Sequence, residues 1–319
     1  MLLFSLLLDL IFVETVVTQP APLQVAFSTL ACPTWNWHDV VAHGSQYGFE
    51  GVEIRQLSGE TNLLKVPELD RAYWLDRRHE LDAARFRVAG LASSIRFDHD
   101  DPAQIDEQLE IGRAYLDLGM ALGAEFIRVF GDLLPTEPAA REKKIAQIAE
   151  GLSLLGDLAS DSGIQILLET HGDFSASAPC VELMSRISHP NVGLVWDTHH
   201  PWRFFGESLE ETWDAIGSWV RHTHWKDSIL LPERQLTEAQ QAAAESAGML
   251  MAGHRHADYV LFRGGEFPAA ECLKILLESQ YSGWHSLEWE KMWHPELLDP
   301  QVALPLFPIK LRELATHIS

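Results

Sequence analysis

Four side chains of metal-ligating types lie at the ends of successive apolar segments in the second half of the chain. They are Glu169 in LLETHG, Asp197 in VWDTHH, His224 in RHTHWKD and Glu288 in SLEWEK. The first three are 28 and 27 residues apart, close to the roughly 30 residues of one strand–helix unit. The last step of 64 residues corresponds to one unit with an insertion. This spacing indicates that the four side chains converge at one edge of a sheet.

Three carboxylates gathered at one point repel one another and resist ionising together, so their convergence requires a cation. Three oxygen ligands and one imidazole nitrogen favour Mn²⁺, Mg²⁺ or Co²⁺, and Zn²⁺ is also compatible with them. Such a cation acts as a Lewis acid on a carbonyl group and stabilises the enediolate that forms when the neighbouring carbon loses a proton. The residues therefore predict one divalent metal bound by Glu169, Asp197, His224 and Glu288.

The elements that position these residues follow from the hydrophobic periodicity, which predicts eight short apolar strands alternating with helices. The strands are predicted at 23–29, 51–56, 87–94, 126–131, 164–170, 192–198, 219–225 and 283–290. The helices are predicted at 37–47, 66–85, 101–122, 138–160, 179–187, 208–217, 268–280 and 302–317. Strands this apolar are typical of a parallel sheet that helices cover.

Eight such units predict an α/β protein with a (β/α)8 TIM barrel in a single domain. The four residues then lie at the carboxyl ends of the strands, where barrel enzymes assemble their active sites. A doubly wound open sheet is the main alternative, but no GxGxxG or GxxxxGK[ST] loop follows any of the strands. The long insertion after strand seven, 228–262, contains the alanine-rich stretch EAQQAAAESAGMLM, which predicts a helix in a lid or a subunit contact.

The N-terminus is interpreted separately, with residues 1–22 as an extension or linker and 23–319 as the barrel domain. The segment MLLFSLLLDLIFV resembles the core of a signal peptide, but no Lys or Arg precedes Arg55 and Asp9 interrupts the apolar run. This run is also too short to span a bilayer. We therefore expect a cytoplasmic protein with no membrane segment, with secretion as the alternative.

The charge balance of the chain argues against a nucleic-acid partner. Lys and Arg number 24 and Asp and Glu number 46, which gives a formal net charge of −22. Nucleic-acid binding requires neutralisation of phosphates, which such a surface does not provide. The three cysteines, Cys32, Cys180 and Cys272, show no CxxC spacing. They are therefore interpreted as buried hydrophobic residues in a reducing compartment.

Several motifs resemble the xylose isomerase-like TIM-barrel superfamily of sugar isomerases, epimerases and dehydratases, which also includes endonuclease IV. They are LLETHG, the D-x-x-H of Asp197 and His200, the H-x-H-x-K-D of 222–227, RGGEFP at 263–268 and YSGWHSLEWEKMWHPEL at 281–297. The resemblance covers residues 23–318. It implies one divalent metal on Glu169, Asp197, His224 and Glu288, with His224 preferred to His222 because the second His of H-x-H is the usual ligand. It also implies that Glu169 and Glu288 carry out the proton transfers, as in the ketose 3-epimerases.

The resulting functional prediction is a metal-dependent sugar or cyclitol isomerase or epimerase that removes a proton next to a carbonyl through a metal-stabilised enediolate. The alternative is a dehydratase of the inosose or dehydroshikimate type, because loss of a β-hydroxyl follows the same first step. A non-catalytic sugar-binding protein ranks lower. An endonuclease IV-like enzyme is disfavoured, since strands two and three end in EIRQ and SSIRF without the histidines of that branch and no D-x-H follows HTHWKD.

Further side chains near the strand ends are candidates for contacts with an unphosphorylated polyol ketone. They are His171, His200, Lys226 and Trp202. Two of them have a structural alternative: a helix cap or a surface position for His200, and a carboxylate partner for Lys226. Trp202 could stack on an apolar face of the sugar. Arg96 and Arg128 are interpreted as barrel or surface ion pairs, with a position in the pocket as the alternative. A homo-oligomer is compatible with the sequence.

Overall fold

The computed structural model of the protein describes residues 23–230 and 257–318, and ten strands lie within these ranges. The strands are β1 Gln24–Ser28, β2 Gly51–Ile54, β3 Arg87–Arg96, β4 Phe126–Phe130, β5 Gln165–Glu169, β6 Val192–Asp197, β7 Val220–Trp225, β8 Asp227–Leu230, β9 Ala257–Val260 and β10 Trp284–Leu287. Eight of them close into a parallel barrel in the order β1-β10-β7-β6-β5-β4-β3-β2. The predicted TIM barrel is therefore confirmed.

Helices connect the barrel strands and cover the outside of the barrel. They are α1 Trp37–Gln46, α2 Trp74–Ala84, α3 Pro102–Leu122, α4 Pro138–Ala159, α5 Ser177–Met184, α6 His199–Phe205, α7 Leu209–Ile216, α8 Ala269–Glu278, α9 Pro300–Ala303 and α10 Leu306–Ile318. Among the described residues, no helix combines the length and the apolarity that a bilayer crossing needs.

The predicted helix at 66–85 is wrong in its first half. Three 3-10 turns, at Leu63–Lys65, Pro67–Leu69 and Arg71–Tyr73, precede α2. Pro67 has no backbone N–H and disfavours helical geometry at the residue before it, and Val66 is accordingly extended, with φ −74° and ψ 116°. Asp70 is not helical either, with φ −59° and ψ 146°, so α2 begins only after these turns.

The insertion after β7 begins and ends in an antiparallel hairpin that the sequence did not predict. Strands β8 and β9 pair from Asp227 opposite Val260 to Leu230 opposite Ala257. This hairpin follows β7 directly and so stands at the carboxyl end of the barrel, where the four proposed ligands are expected. The predicted alanine-rich helix at 238–251 and the predicted extension at 1–22 lie outside the described residues.

The barrel interior is apolar at its amino end. An inner layer of six side chains fills it: Ala26, Ala89, Phe126, Leu167, Val195 and Trp284. This layer combines large and small residues, and a Cβ on Gly90 would lie 2.3 Å from the ring of Phe126, so only glycine leaves room for that ring. Because side chains of a strand alternate between its two faces, the residue two positions after Leu167 or Val195 also faces inward.

Candidate metal centre and active site

The two-residue period of the strands places a polar layer above the apolar one. Glu169 and Asp197 are the last residues of β5 and β6, and each lies two positions beyond an inner-layer side chain. His224 is the penultimate residue of β7 and pairs with Asp197 across the sheet. Glu288 directly follows β10, where its N–H donates to the carbonyl of Trp225 at 2.9 Å. Four strands thus deliver the four predicted residues to one end of the barrel.

These four side chains form one buried cluster. Their potential ligand atoms, one from each of Glu169, Asp197, His224 and Glu288, all lie within 4.8 Å of one another. Nδ1 of His224 is 3.0 Å from Oε1 of Glu169 and 3.3 Å from Oε2 of Glu288. Three carboxylates and one imidazole that converge at this spacing match the donor set of a hard or borderline divalent cation. The residues present therefore fit a divalent metal.

The electrostatics of the cluster favour added positive charge at Asp197. Burial raises the pKa of Asp197 to about 6, with Lys226 and His224 opposing and Glu288 and Glu169 reinforcing the effect. Burial also acts against ionised Glu288, but His224 and Lys226 outweigh it and hold the pKa of Glu288 well below its usual range. In the same way Arg128 and His224 keep the pKa of Glu169 low. Among these three carboxyl groups, Asp197 is thus the one whose burial is not outweighed by its cationic neighbours.

Lys226 lies against the carboxylates of the cluster. Its Nζ is 2.6 Å from Oε2 of Glu288, 2.6 Å from Oε1 of Glu290 and 2.8 Å from Oδ2 of Asp197. Lys226 therefore pairs with carboxylates, as one of its two predicted roles requires, and its contact with substrate stays a prediction. Glu290, which the sequence did not single out, lies two residues after Glu288, and this spacing within EWEK was the available signal.

His200 is buried and packs onto Asp197. Its Nδ1 is 2.9 Å from the carbonyl oxygen of Thr170, and its Nε2 is 3.2 Å from Oδ2 of Asp197. Oδ1 of Asp197 accepts the backbone N–H groups of His199 and His200 at the start of α6. The D-x-x-H spacing therefore places a carboxylate over the first turn of a helix and an imidazole beside it.

His171 is the most accessible of the predicted histidines, with a side chain that is 31% exposed. Its Nδ1 is 3.0 Å from Oδ1 of Asp132, a residue that sequence reasoning missed. Asp132 has a left-handed backbone with φ 51°, and Gly172 approaches it so closely that a Cβ would lie 2.7 Å from the carbonyl oxygen of Asp132. This loop contact holds the imidazole at the barrel mouth.

Trp202 packs beside the centre without contacting the four predicted ligands in the contacts described. Its ring centroid is 5.8 Å from that of His199 and 5.5 Å from that of Phe267, and the guanidinium of Arg203 lies 4.2 Å from the ring centre. Its predicted contact with substrate stays a prediction.

Arg128 forms the ion pair that the sequence predicts for it, and the pair lies inside the barrel. Its partner is Glu169, at 3.3 Å between Nη1 and Oε2, and its side chain is 2% exposed. The guanidinium also lies 3.8 Å from the ring centre of Phe130. Arg128 therefore belongs to the centre. Arg96 pairs with Asp98 at 3.0 Å and with Asp132 at 3.4 Å, in agreement with the predicted ion pair.

A further carboxylate, Glu53, lies inside the barrel next to His224. Its Oε2 is 2.8 Å from Nε2 of His224, 3.0 Å from Nε2 of His222 and 3.3 Å from Oγ of Ser286. Burial opposes ionisation of Glu53, but the two histidines outweigh it and lower its pKa. Burial likewise disfavours protonated His224, but Glu288, Glu53 and Glu169 raise its pKa well above the usual value.

The sequence matches one protein-family model over most of its length. A family model described as xylose isomerase-like TIM barrel matches residues 41–303. Inosose dehydratase 2 of Bacillus cereus is 28% identical over 184 residues, which are 57% of each chain. An inosose dehydratase of Clostridium botulinum is 30% identical over 169 residues, 52% of each chain. The chain thus matches about half the length of these curated relatives.

Solved structures share the fold at low identity. A probable 3-DHS dehydratase from Bacillus anthracis superposes with a TM-score of 0.70 at 17% identity, over 92% of this chain and 99% of that one. A zinc-bound IOLI protein superposes with a TM-score of 0.67 at 17% identity, over 93% of this chain and 98% of that one. A D-tagatose 3-epimerase-like protein superposes with a TM-score of 0.66 at 15% identity, over 93% of this chain and 100% of that one. Likeness at these identities concerns the fold alone. With the family model covering most of its length, the chain belongs to the xylose isomerase-like TIM barrel family.

Proposed function

We propose that this protein is a divalent-metal-dependent dehydratase that removes water from a cyclic polyol ketone of the inosose type. The observation that carries the proposal is the buried convergence of Glu169, Asp197, His224 and Glu288, with Lys226 against Glu288. The choice of dehydration over the isomerisation or epimerisation expected from the sequence is supported by the curated relatives, which are inosose dehydratases at 28% and 30% identity.

The proposed reaction begins with a proton transfer that the charge pattern supports. A divalent cation held by Glu169, Asp197, His224 and Glu288 would supply Lewis-acid stabilisation of negative charge on the carbonyl oxygen of the substrate. Neighbouring cations hold the pKa values of Glu169 and Glu288 low, so both stay carboxylates, and either can accept the proton from the carbon next to the ketone.

The second half of the reaction needs a proton donor for the departing hydroxyl. His171 is proposed for this role, because its partly exposed imidazole lies at the barrel mouth and its Nδ1 is 3.0 Å from Oδ1 of Asp132. Burial lowers the pKa of His171, but Asp132 and Glu169 outweigh burial and raise it, which favours the protonated imidazole that this role needs. The hydroxyl on the second carbon from the ketone leaves with that proton as one water molecule. The electron pair of the broken C–H bond becomes the new C=C bond, and the product is the enol of a 1,2-diketone.

The test is to incubate the Mn²⁺-loaded protein with an inosose and to follow mass and ultraviolet absorbance. We expect loss of the mass of one water molecule and the growth of an enone absorbance, both abolished by EDTA and by Glu169→Gln. Glu182→Gln is the matched control, because Glu182 forms a partly exposed pair with Arg141, outside the buried cluster. Unchanged mass with every inosose tested would contradict dehydration.

A sugar or cyclitol epimerase or isomerase is the second candidate. The specific observation that favours it is that Glu169 and Glu288 both lie within 3.3 Å of Nδ1 of His224, which provides two carboxylates for proton transfer at one centre. In D2O this activity exchanges a carbon-bound proton and yields an isomeric product without loss of water. Retention of metal with neither exchange nor water loss would instead favour a sugar-binding protein.

A further inference from the structure

We propose that Glu53 is a positioning residue that sets the tautomer of His224, so that Nδ1 offers its lone pair to the metal. The inference rests on the metal site of the proposed function, but not on the reaction catalysed there. It concerns a carboxylate on β2, on the far side of the imidazole from Glu169 and Glu288.

The two nitrogens of His224 have different carboxylate neighbours. Nε2 is 2.8 Å from Oε2 of Glu53, whereas Nδ1 is 3.0 Å from Oε1 of Glu169 and 3.3 Å from Oε2 of Glu288. An ionised carboxylate only accepts hydrogen bonds, so the contact with Glu53 requires a proton on Nε2. A neutral imidazole that carries its proton on Nε2 has its lone pair on Nδ1. That lone pair faces the oxygens that complete the ligand set.

Glu53 is held firmly enough to impose this choice. It is fully buried, its Cα pairs with that of Ser28 on β1, and its neighbours on β2 pair with β3. Nε2 of His222 and Oγ of Ser286 donate to the same oxygen, at 3.0 and 3.3 Å. The carboxylate therefore cannot turn away from His224 without losing several hydrogen bonds in a dry interior, where an unpaired charge is costly.

His222 is set apart from His224 by its surroundings, although it contacts the same oxygen. Its ring lies against Phe126 of the apolar layer, with ring centroids 4.3 Å apart. In the contacts described, Glu53 reaches the four-residue cluster through His224 and not through His222. This difference explains why the second histidine of the H-x-H motif is the one proposed as a metal ligand. A histidine ligand whose other nitrogen donates to a carboxylate is oriented and made more basic by it.

The first measurement is Mn²⁺ affinity of the full chain, read from the electron paramagnetic resonance of free Mn²⁺. We expect Glu53→Gln to weaken binding by about 10- to 100-fold, the usual loss when such an outer partner is replaced. Ser286→Ala is the matched control, since it removes a contact to the same oxygen and leaves the Glu53–His224 pair in place. It should bind Mn²⁺ nearly as the wild type does.

The second measurement is direct and begins with the wild type. Nitrogen-15 spectra of the histidine-labelled, Mg²⁺-loaded wild type should show His224 with its proton on Nε2 and none on Nδ1. Glu53→Gln should yield a mixture of tautomers. If Glu53 only supported the fold, its replacement would not change which nitrogen of His224 carries the proton.

Two results would overturn the inference: equal Mn²⁺ affinities of the wild type and Glu53→Gln, or a proton on Nδ1 in the Mg²⁺-loaded wild type. A wild type that binds no Mn²⁺ overturns the metal-dependent function as well. Failure of the dehydratase assay alone, with Mn²⁺ binding intact, concerns only the proposed reaction, so the two failures are distinguishable.

Discussion

His171 and Asp132 form an imidazole–carboxylate pair at the mouth of the barrel, with Nδ1 and Oδ1 3.0 Å apart. The two residues come from the loops after β5 and β4. The backbone joins these loops as well, because the N–H of Asp173 donates to the carbonyl of Asp132 at 2.8 Å. The contact of Nδ1 with Asp132 fixes the orientation of the imidazole ring and therefore the direction in which Nε2 points. A side chain that donates a proton to substrate must be oriented in this way.

We expect His171→Asn to lower kcat for water loss by about 100-fold, the lower range for removal of a general acid. Mn²⁺ affinity should stay close to that of the wild type, because His171 is not among the four proposed ligands. Steady-state kinetics on an inosose and Mn²⁺ titration check both parts. Asp132→Asn should reduce kcat in the same direction by a smaller factor. A His171→Asn variant with wild-type kcat would remove the residue from the proposed reaction.

Replacing Lys226 tests the charge balance of the centre. Its ammonium group partly offsets the negative charges of three carboxylates, those of Asp197, Glu288 and Glu290. Lys226→Met therefore leaves buried carboxylates without their cationic partner. We expect the metal-free variant to lose about 3–5 kcal/mol of unfolding free energy in urea, the usual cost of breaking a buried pair. Added Mn²⁺ should restore part of this loss, since the cation binds the folded state. Equal stabilities of variant and wild type in EDTA would contradict this account.

Arg128 provides a second test with a control on the surface. Arg128→Met removes the buried partner of Glu169, and we expect a loss of about 3–5 kcal/mol in the free energy of unfolding. Arg141→Met breaks the partly exposed pair with Glu182, and there we expect a change of about 0–1 kcal/mol. Chemical denaturation of both variants gives the comparison. Similar changes at the two positions would mean that burial of Arg128 does not determine its contribution.

The cysteines should be inert in the folded protein. Cys32, Cys180 and Cys272 are free and buried, and burial raises the pKa of each thiol above its usual value. Because the thiolate is the reactive form, we expect dithiodipyridine to react only at the rate of unfolding. The measurement is the absorbance of released thiopyridone, first in buffer and then in guanidinium chloride. Rapid release from the native protein would show that a thiol reaches solvent.

The strand–helix alternation and the convergence of Glu169, Asp197, His224 and Glu288 could be predicted because both depend on local periods. Apolar strands, helix lengths and loops set a repeat of nearly constant length, and a residue at a fixed place in that repeat recurs at the same edge of the barrel. The same local reasoning failed at residues 66–73, where non-helical backbone at Val66 and Asp70 divides the predicted helix into 3-10 turns.

Pairing across the barrel was decided only by tertiary structure. Glu53 and His224 are separated by 171 residues, and their contact depends on how the closed barrel staggers β2 against β7. The sequence indicates an ion pair for Arg128 but not its partner, since an inward arginine on β4 meets Glu169 only once β5 lies beside it. Local sequence determines which face a side chain takes, whereas closure of the sheet determines which side chains meet inside it.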